Sequence, residues 1–236
     1  MYCIDFNNIK KYFGNNVALN DLTININCGE SISLIGPNGA GKSTTIKILA
    51  GLLEPDSGDV LISGYKPNTE EAKKIIGYLP EDASPYLTLS VRENLEYLGA
   101  LRGIDDLNYK TDFFLDFLKL REYERNKVSS LSRGNRQKLS LALAIMHEPK
   151  VLLLDEPLNY LDIPSQEDVI KYFKKMNSTF LVSTHIMSIA ERFTDNVIII
   201  NKGQKIWEGE IKQLKNRGEE ENASMEAVIS EIMGGL

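Results

Sequence analysis

The segment Ser31–Thr44, SISLIGPNGAGKST, passes from a short apolar stretch through a glycine-rich turn into a lysine and two hydroxyl residues. Ser31 to Ile35 reads as a buried strand. Beyond the turn, Ile46, Leu49, Ala50 and Leu53 recur at helical spacing, so the order is strand, loop, helix. Within that frame Gly36, Pro37, Asn38, Gly39, Ala40, Gly41, Lys42, Ser43 and Thr44 fill the G-x-x-x-x-G-K-[ST] phosphate-binding pattern, which Thr45 extends. Glycines 36, 39 and 41 let the backbone fold around a phosphate, with amide N–H groups turned inward at a helix N-terminus whose dipole favours anions. Lys42 can then reach the β- and γ-phosphates, Ser43 offers a hydroxyl to Mg²⁺, and Thr44 is in place for the α- or β-phosphate. A glycine turn bearing a surface lysine would explain the letters but not their position between a strand and a helix.

Outward from this segment the chain divides by pattern. Apolar alternation in Tyr2–Phe6 and in Leu22–Asn27 predicts two half-buried antiparallel strands ahead of the loop. Gly58–Ile62 reads as a further strand, and Tyr78 with Leu79 leads to Pro80. From Thr88 to Met146 the pattern is helical. Ser90 and Glu93 form a capping box before the stripe Val91, Leu95, Leu98, and Phe113, Phe114, Phe117 and Leu118 mark a second helix. The turn His147-Glu148-Pro149 closes this block. Val151–Leu154 (VLLL) and Phe180–Ser183 (FLVS) resemble central parallel strands covered on both faces, so their C-terminal ends should carry the site. Val197–Ile200, then NKGQ, then Lys205–Trp207 predicts a hairpin. Met225, Val228, Ile229 and Ile232 predict a last helix after an acidic linker at Glu219–Glu221, packed on its own domain or on a second copy.

With 236 residues the chain accommodates one large α/β unit with an insertion. Its net charge of −6, from 27 basic and 33 acidic residues, supplies no positive field for a phosphate backbone, so no nucleic acid is expected as partner. No apolar run reaches the roughly 18 residues of a membrane span, and the N-terminus lacks a secretory pattern, which predicts a cytosolic location. Cys3 and Cys28 could pair, but a cytosolic chain without CxxC spacing predicts reduced, mostly buried thiols.

Val151–Glu156, VLLLDE, ends in two carboxylates. Asp155 at the strand end can hold Mg²⁺ through water, and Glu156 can orient and polarise a water against a γ-phosphate. A strand followed by an acidic turn is common, so this reading depends on the loop upstream. Leu131–Gln137, LSRGNRQ, narrows the field: with it the chain resembles ABC transporter ATPases, whose LSGGQ-type signature also sits just upstream of the strand that ends in the acidic pair. A serine N-cap on a core helix would explain Ser132 on its own.

The resemblance covers nearly the whole chain and implies a fold: an α/β, RecA-like P-loop NTPase core with an N-terminal antiparallel β-subdomain (1–80 and 148–209), an inserted α-helical subdomain (81–147), and a C-terminal helical tail (210–236). It implies that Leu131, Ser132, Arg133, Gly134 and Asn135 of one subunit close over ATP held by the other. Glu81 in GYLPE falls where a glutamine normally meets Mg²⁺ and the attacking water. Leu161 and Asp162 match the D-loop between subunits, and His185 matches the switch histidine on the γ-phosphate. Phe13 lines up with the adenine-stacking aromatic, with Tyr12 as the alternative. Arg133, Asn135, Glu81 and Tyr160 depart from the usual residues, and none removes an indispensable group.

The expected assignment is an ATP-binding and ATP-hydrolysing subunit using ATP and Mg²⁺, peripheral on the cytoplasmic side of the membrane. Its expected partners are a separate transmembrane permease and a second copy of itself or a paralogous ATPase. The LSRGNRQKL and PYLTLSVREN segments lean toward export. A soluble ABC-type ATPase of translation or DNA maintenance is the alternative. A P-loop kinase or GTPase should lack the LSRGN and Ser-Thr-His elements.

Overall fold

The computed structural model describes residues 1–82, 85–221 and 223–234; residues 83–84, 222 and 235–236, which the expected helical subdomain and tail include, lie outside the described residues. In chain order the elements are β1 (Tyr2–Phe13), β2 (Asn16–Asn27), β3 (Ser31–Ile35), α1 (Lys42–Leu49), β4 (Ser57–Ile62), α2 (Glu70–Ile75) and β5 (Ile76–Leu79). Three longer helices follow, α3 (Val91–Leu101), α4 (Leu107–Phe117) and α5 (Arg133–Ile145). The chain then runs through β6 (Val151–Asp155), α6 (Ile163–Phe173), β7 (Thr179–Thr184), α7 (Met187–Phe193), β8 (Asn196–Asn201), β9 (Gln204–Glu210), α8 (Ile211–Glu221) and α9 (Met225–Gly234).

Alternation of buried and exposed residues makes β1, β2 and β4 an antiparallel sheet in the order β2-β1-β4, with Ile4, Phe6 and Ile9 facing inward. The second sheet has the order β5-β6-β7-β3-β8-β9; β5 to β8 run parallel and β9 returns antiparallel to β8. Every residue of β6 and β7 is buried, as expected of strands covered by helices on both faces. β3 lies between β7 and β8, so the loop after it opens beside the ends of β6 and β7. This is the mixed α/β architecture expected from the sequence.

The helical block shares its core with this sheet. Val91, Leu95, Phe114, Leu115 and Leu139 belong to one apolar cluster with Leu152 and Leu154 of β6 and Phe180 and Val182 of β7. The expected capping box at Ser90 and Glu93 is present at the start of α3.

Two expectations are corrected. Cys3 and Cys28 are not free thiols but form a disulfide with Cα atoms 4.7 Å apart. Cys3 is the extra residue at the register shift between the pairs Tyr2–Asn27 and Ile4–Ile26, and Cys28 directly follows β2, so both lie at the same end of the β1–β2 pair. Nor is Glu219–Glu221 a linker: it is the end of α8, a helix seated by the buried Ile211 and Leu214. The linker reading gave weight to local charge and missed that earlier apolar pair.

Candidate functional site

The loop after β3 is shaped by close approaches that only glycine allows. A Cβ on Gly36 would collide with the backbone oxygen of Ile200, and one on Gly41 would come within 2.6 Å of the Leu19 side chain and 2.8 Å of the Ala18 carbonyl. Gly41 also has φ +107° and is the N-cap of α1, where it provides no side-chain hydrogen bond, so the helix's first amides keep their donors for a ligand. Lys42 Nζ donates to the carbonyls of Gly36 (2.7 Å) and Pro37 (3.2 Å), which folds the lysine back over the loop. Burial lowers its pKa, opposed by the negative charges of Glu156, Asp155 and Glu81.

A cleft of about 560 Å³ opens over this loop. Its walls gather Phe13, Asn38, Gly39, Gly41, Lys42, Ser43 and Thr44 with Glu81, Asp155, Glu156 and His185. Phe13, 51% exposed at the end of β1, is on the lining and Tyr12 is not, so of the two aromatic candidates only Phe13 faces the cleft. Asn16 and Ala18 of β2 also line it. Neither was singled out in the sequence as a ligand contact, and only their nearness to Phe13 across the β1–β2 turn could have signalled them. Thr45 is turned away: its buried hydroxyl donates to the Gly41 carbonyl at 2.9 Å. Ala40 is likewise buried off the lining, and Gly36 and Pro37 face a different cavity.

At the ends of β6 and β7 the two carboxylates have different partners. Asp155 accepts a hydrogen bond from the Ser183 hydroxyl. Glu156, buried and with φ +49°, donates its backbone N–H to the Ser183 carbonyl at 3.1 Å. Its Oε1 accepts from the His185 backbone N–H (3.1 Å) and from His185 Nδ1 (2.6 Å), and its Oε2 accepts from the Thr184 hydroxyl (3.2 Å). A carboxylate held this way is a preoriented proton acceptor, and the pairing leaves Nε2 as the histidine nitrogen open to a ligand.

The segment Leu131–Asn135 lies outside the cleft lining of its own chain. Leu131 is buried in the helical core, whereas Ser132 is exposed and caps α5, its Oγ accepting from the Asn135 N–H at 3.2 Å. A Cβ on Gly134 would approach the Tyr160 carbonyl to 2.7 Å, and the Arg133 guanidinium lies 5.5 Å from the Tyr160 ring centroid. Gln137 Nε2 donates to the Pro157 carbonyl at 3.2 Å, and Lys138 Nζ lies 3.7 Å from Asp162. Asp162 caps α6 through the Ser165 N–H at 2.8 Å, and that hydrogen bond holds its carboxyl below the usual range. Leu161 is buried beside it. The two loops are therefore fastened to each other within one chain, while Ser132 faces outward.

The donor set fits a magnesium nucleotide. Among the described residues there is no cluster of His, Cys, Asp and Glu able to hold a metal by itself. One hydroxyl (Ser43) and one strand-end carboxylate (Asp155) beside a phosphate cradle match an ion that is completed by substrate oxygens and water.

Comparison with known proteins points to one family. The family profile described as ABC transporter matches residues 19–159. The Nod factor export ATP-binding protein I of Burkholderia lata is 36% identical over 213 residues, covering 87% of this chain and 70% of that protein. A solved ATP-binding subunit of an ABC transporter superposes with a TM-score of 0.88 at 27% identity, covering 98% of this chain and 99% of that one. A dimeric ATP-binding cassette in a post-hydrolysis state with ADP and Pi superposes with a TM-score of 0.80 at 27% identity, covering 88% and 98%.

Proposed function

This chain belongs to the ABC transporter ATP-binding family, and from that premise we propose that it drives export through a separate transmembrane subunit by ATP-dependent closure of two ATPase chains. The observation that carries the reading is the division of its chemistry: one cleft collects Lys42, Ser43, Asp155, Glu156 and His185, while Ser132 is exposed outside it. A nucleotide held in that cleft gains a second wall only from another chain, which matches the dimeric state of the similar cassette.

In this reading Phe13 stacks on the adenine, and the loop from Gly36 to Thr44 surrounds the phosphates. Lys42 exchanges its two loop carbonyls for phosphate oxygens. Ser43 and Asp155, with Glu81 nearby, hold Mg²⁺, which neutralises phosphate charge when bound. Glu156 takes a proton from a water whose oxygen attacks the γ-phosphorus, and the bond to the β–γ bridging oxygen breaks to leave ADP and inorganic phosphate. His185, fixed through Nδ1 to Glu156, offers Nε2 to the γ-phosphate. Ser132 and the first amides of α5, with the Leu161–Asp162 loop at their side, complete the partner's site.

No helix among the described residues is long and apolar enough to cross a membrane. We assign the chain to the cytoplasmic face of the membrane through its partner, an assignment that rests on the family and on the relative named for Nod factor export. The test is to capture Glu156→Gln protein with MgATP from native membranes in mild detergent. Co-purification of a polytopic membrane protein is the expected result; ribosomes, nucleic-acid complexes or no partner would overturn the transport reading in favour of a soluble ATPase.

A further inference from the structure

A second cavity, of about 360 Å³, lies behind the nucleotide cleft. Asn38 and His185 line both spaces, so they form the partition between them. The far wall is α9, which contributes Glu226, Ile229, Ser230 and Met233. Met187 connects the two sides: it is buried two residues after His185, at the first position of α7, and belongs to the same apolar cluster as Val228 and Ile229.

The switch segment is thus held from two directions. On the cleft side, His185 and Thr184 are fixed to the Glu156 carboxylate. On the other side, the only apolar residue of the segment that enters the core is Met187, and its cluster includes the buried stripe of α9. α9 is tied to the sheet at its end and capped locally at its start. Asn201 Nδ2 donates to the Met233 carbonyl at 3.2 Å, and at its start the Ser224 hydroxyl accepts from the Ala227 N–H at 3.2 Å. Close-packed interiors transmit displacement, so a shift of α9 reaches the Met187 backbone and from there the His185 ring.

We propose that α9 is the rear support of the switch histidine, with Met187, Ile229 and Met233 acting as positioning residues for hydrolysis. The C-terminal helix sets where Nε2 stands relative to the γ-phosphate and makes no contact with the nucleotide. The inference rests on the role assigned to His185 above.

Two full-length variants test it. Met233→Ala removes part of the support, and Ser230→Trp fills the cavity from an exposed rim position without removing a core contact. Each should lower kcat by about tenfold, the order expected when a reacting geometry is displaced by a fraction of an ångström, while leaving KM for ATP within about twofold. Met233→Leu should restore kcat. The chain has two histidines, His147 and His185, so histidine-labelled protein gives one reporter and one internal control. The His185 ring resonances should shift in both variants while those of His147 stay in place.

His185→Ala is measured alongside. If it retains turnover, the reading of His185 fails. If it loses turnover while Ser230→Trp keeps both parental kcat and the parental His185 resonance, the inference about α9 fails, whatever the folding of Met233→Ala. A change in kcat with the His185 signal unmoved would also overturn it.

Discussion

The glycine loop before α1 and the serine turn before α5 each present the N-terminus of a helix, but they are finished differently. α1 begins at Gly41 with no side-chain cap, and its lysine is folded over the loop's own carbonyls. α5 begins at Ser132, whose hydroxyl already satisfies the Asn135 amide. The first terminus has donors without partners and is surrounded by the groups needed for cleavage. The second has one of its amides taken up by its own cap and lies outside the lining of its own chain's cleft. On the function proposed above, this contrast is that of two unlike halves of a site, each suited to the ligand held by the other chain.

The strongest way to break the comparison is at the reacting half. Glu156→Gln should lower kcat by about 10³-fold, within the range for removing a general base, while ATP still binds, as equilibrium binding alongside steady-state hydrolysis would show. A rate within tenfold of the parent would remove Glu156 from the role. The far end of α5 sharpens it next, because an effect there should change stability and leave the site alone. His147, just beyond α5, has Nε2 on the Ile76 carbonyl at 3.0 Å, and burial pushes its pKa down from 6.5 to about 4. The folded state therefore binds fewer protons than the unfolded chain between those values. Stability present above pH 6.5 is lost as pH falls toward 4, by about 3 kcal/mol from this group. Urea denaturation of parent and His147→Gln proteins across this range should show the variant lacking that part of the loss.

A smaller effect tests the capped half. Ser132→Ala should cost about 1 kcal/mol of stability through the lost cap, and should leave MgATP binding by the isolated chain unchanged. In a Glu156→Gln background it should weaken ATP-dependent pairing measured by sedimentation. Loss of binding to the isolated chain would mean that Ser132 serves its own cleft and that the two halves are not complementary. The smallest effect concerns the Arg133–Tyr160 contact. A double-mutant cycle with Arg133→Gly and Tyr160→Ala should return a coupling of about 0.5–1 kcal/mol, the scale of an exposed cation–π pair. Additive losses would show that the two side chains act separately.

The parts of this fold that were readable in the sequence are those in which one pattern dominates. The glycine loop dictates its own conformation, VLLL and the Phe180–Val182 part of FLVS are apolar throughout, and Ser90 with Glu93 caps a helix from local atoms alone. What escaped depends on distant partners. The pairing of Cys3 with Cys28 depends on the irregular register at the start of β1 against the end of β2, whereas compartment chemistry pointed to free thiols. The fastening of Gly134 to Tyr160, and the partition formed by Asn38 and His185, need α5, α6 and α9 in place before they can be seen. Around the cleft the chain gathers Phe13, Lys42, Ser43, Glu81, Asp155, Glu156 and His185, whereas Thr45 and Ala40 are buried off its lining.

The position of β3 between β7 and β8 has a consequence for synthesis on the ribosome. The first strand of the central sheet is made early, but both its neighbours come late: Gly29 bonds Thr179 across 150 residues of sequence. At about 5–20 residues per second, the apolar SISLI segment waits roughly 10–30 s for its first partner. Until then the phosphate loop lacks the neighbouring strands that hold its shape, so the nascent chain gains its nucleotide cleft only after Thr179–Thr184 has emerged.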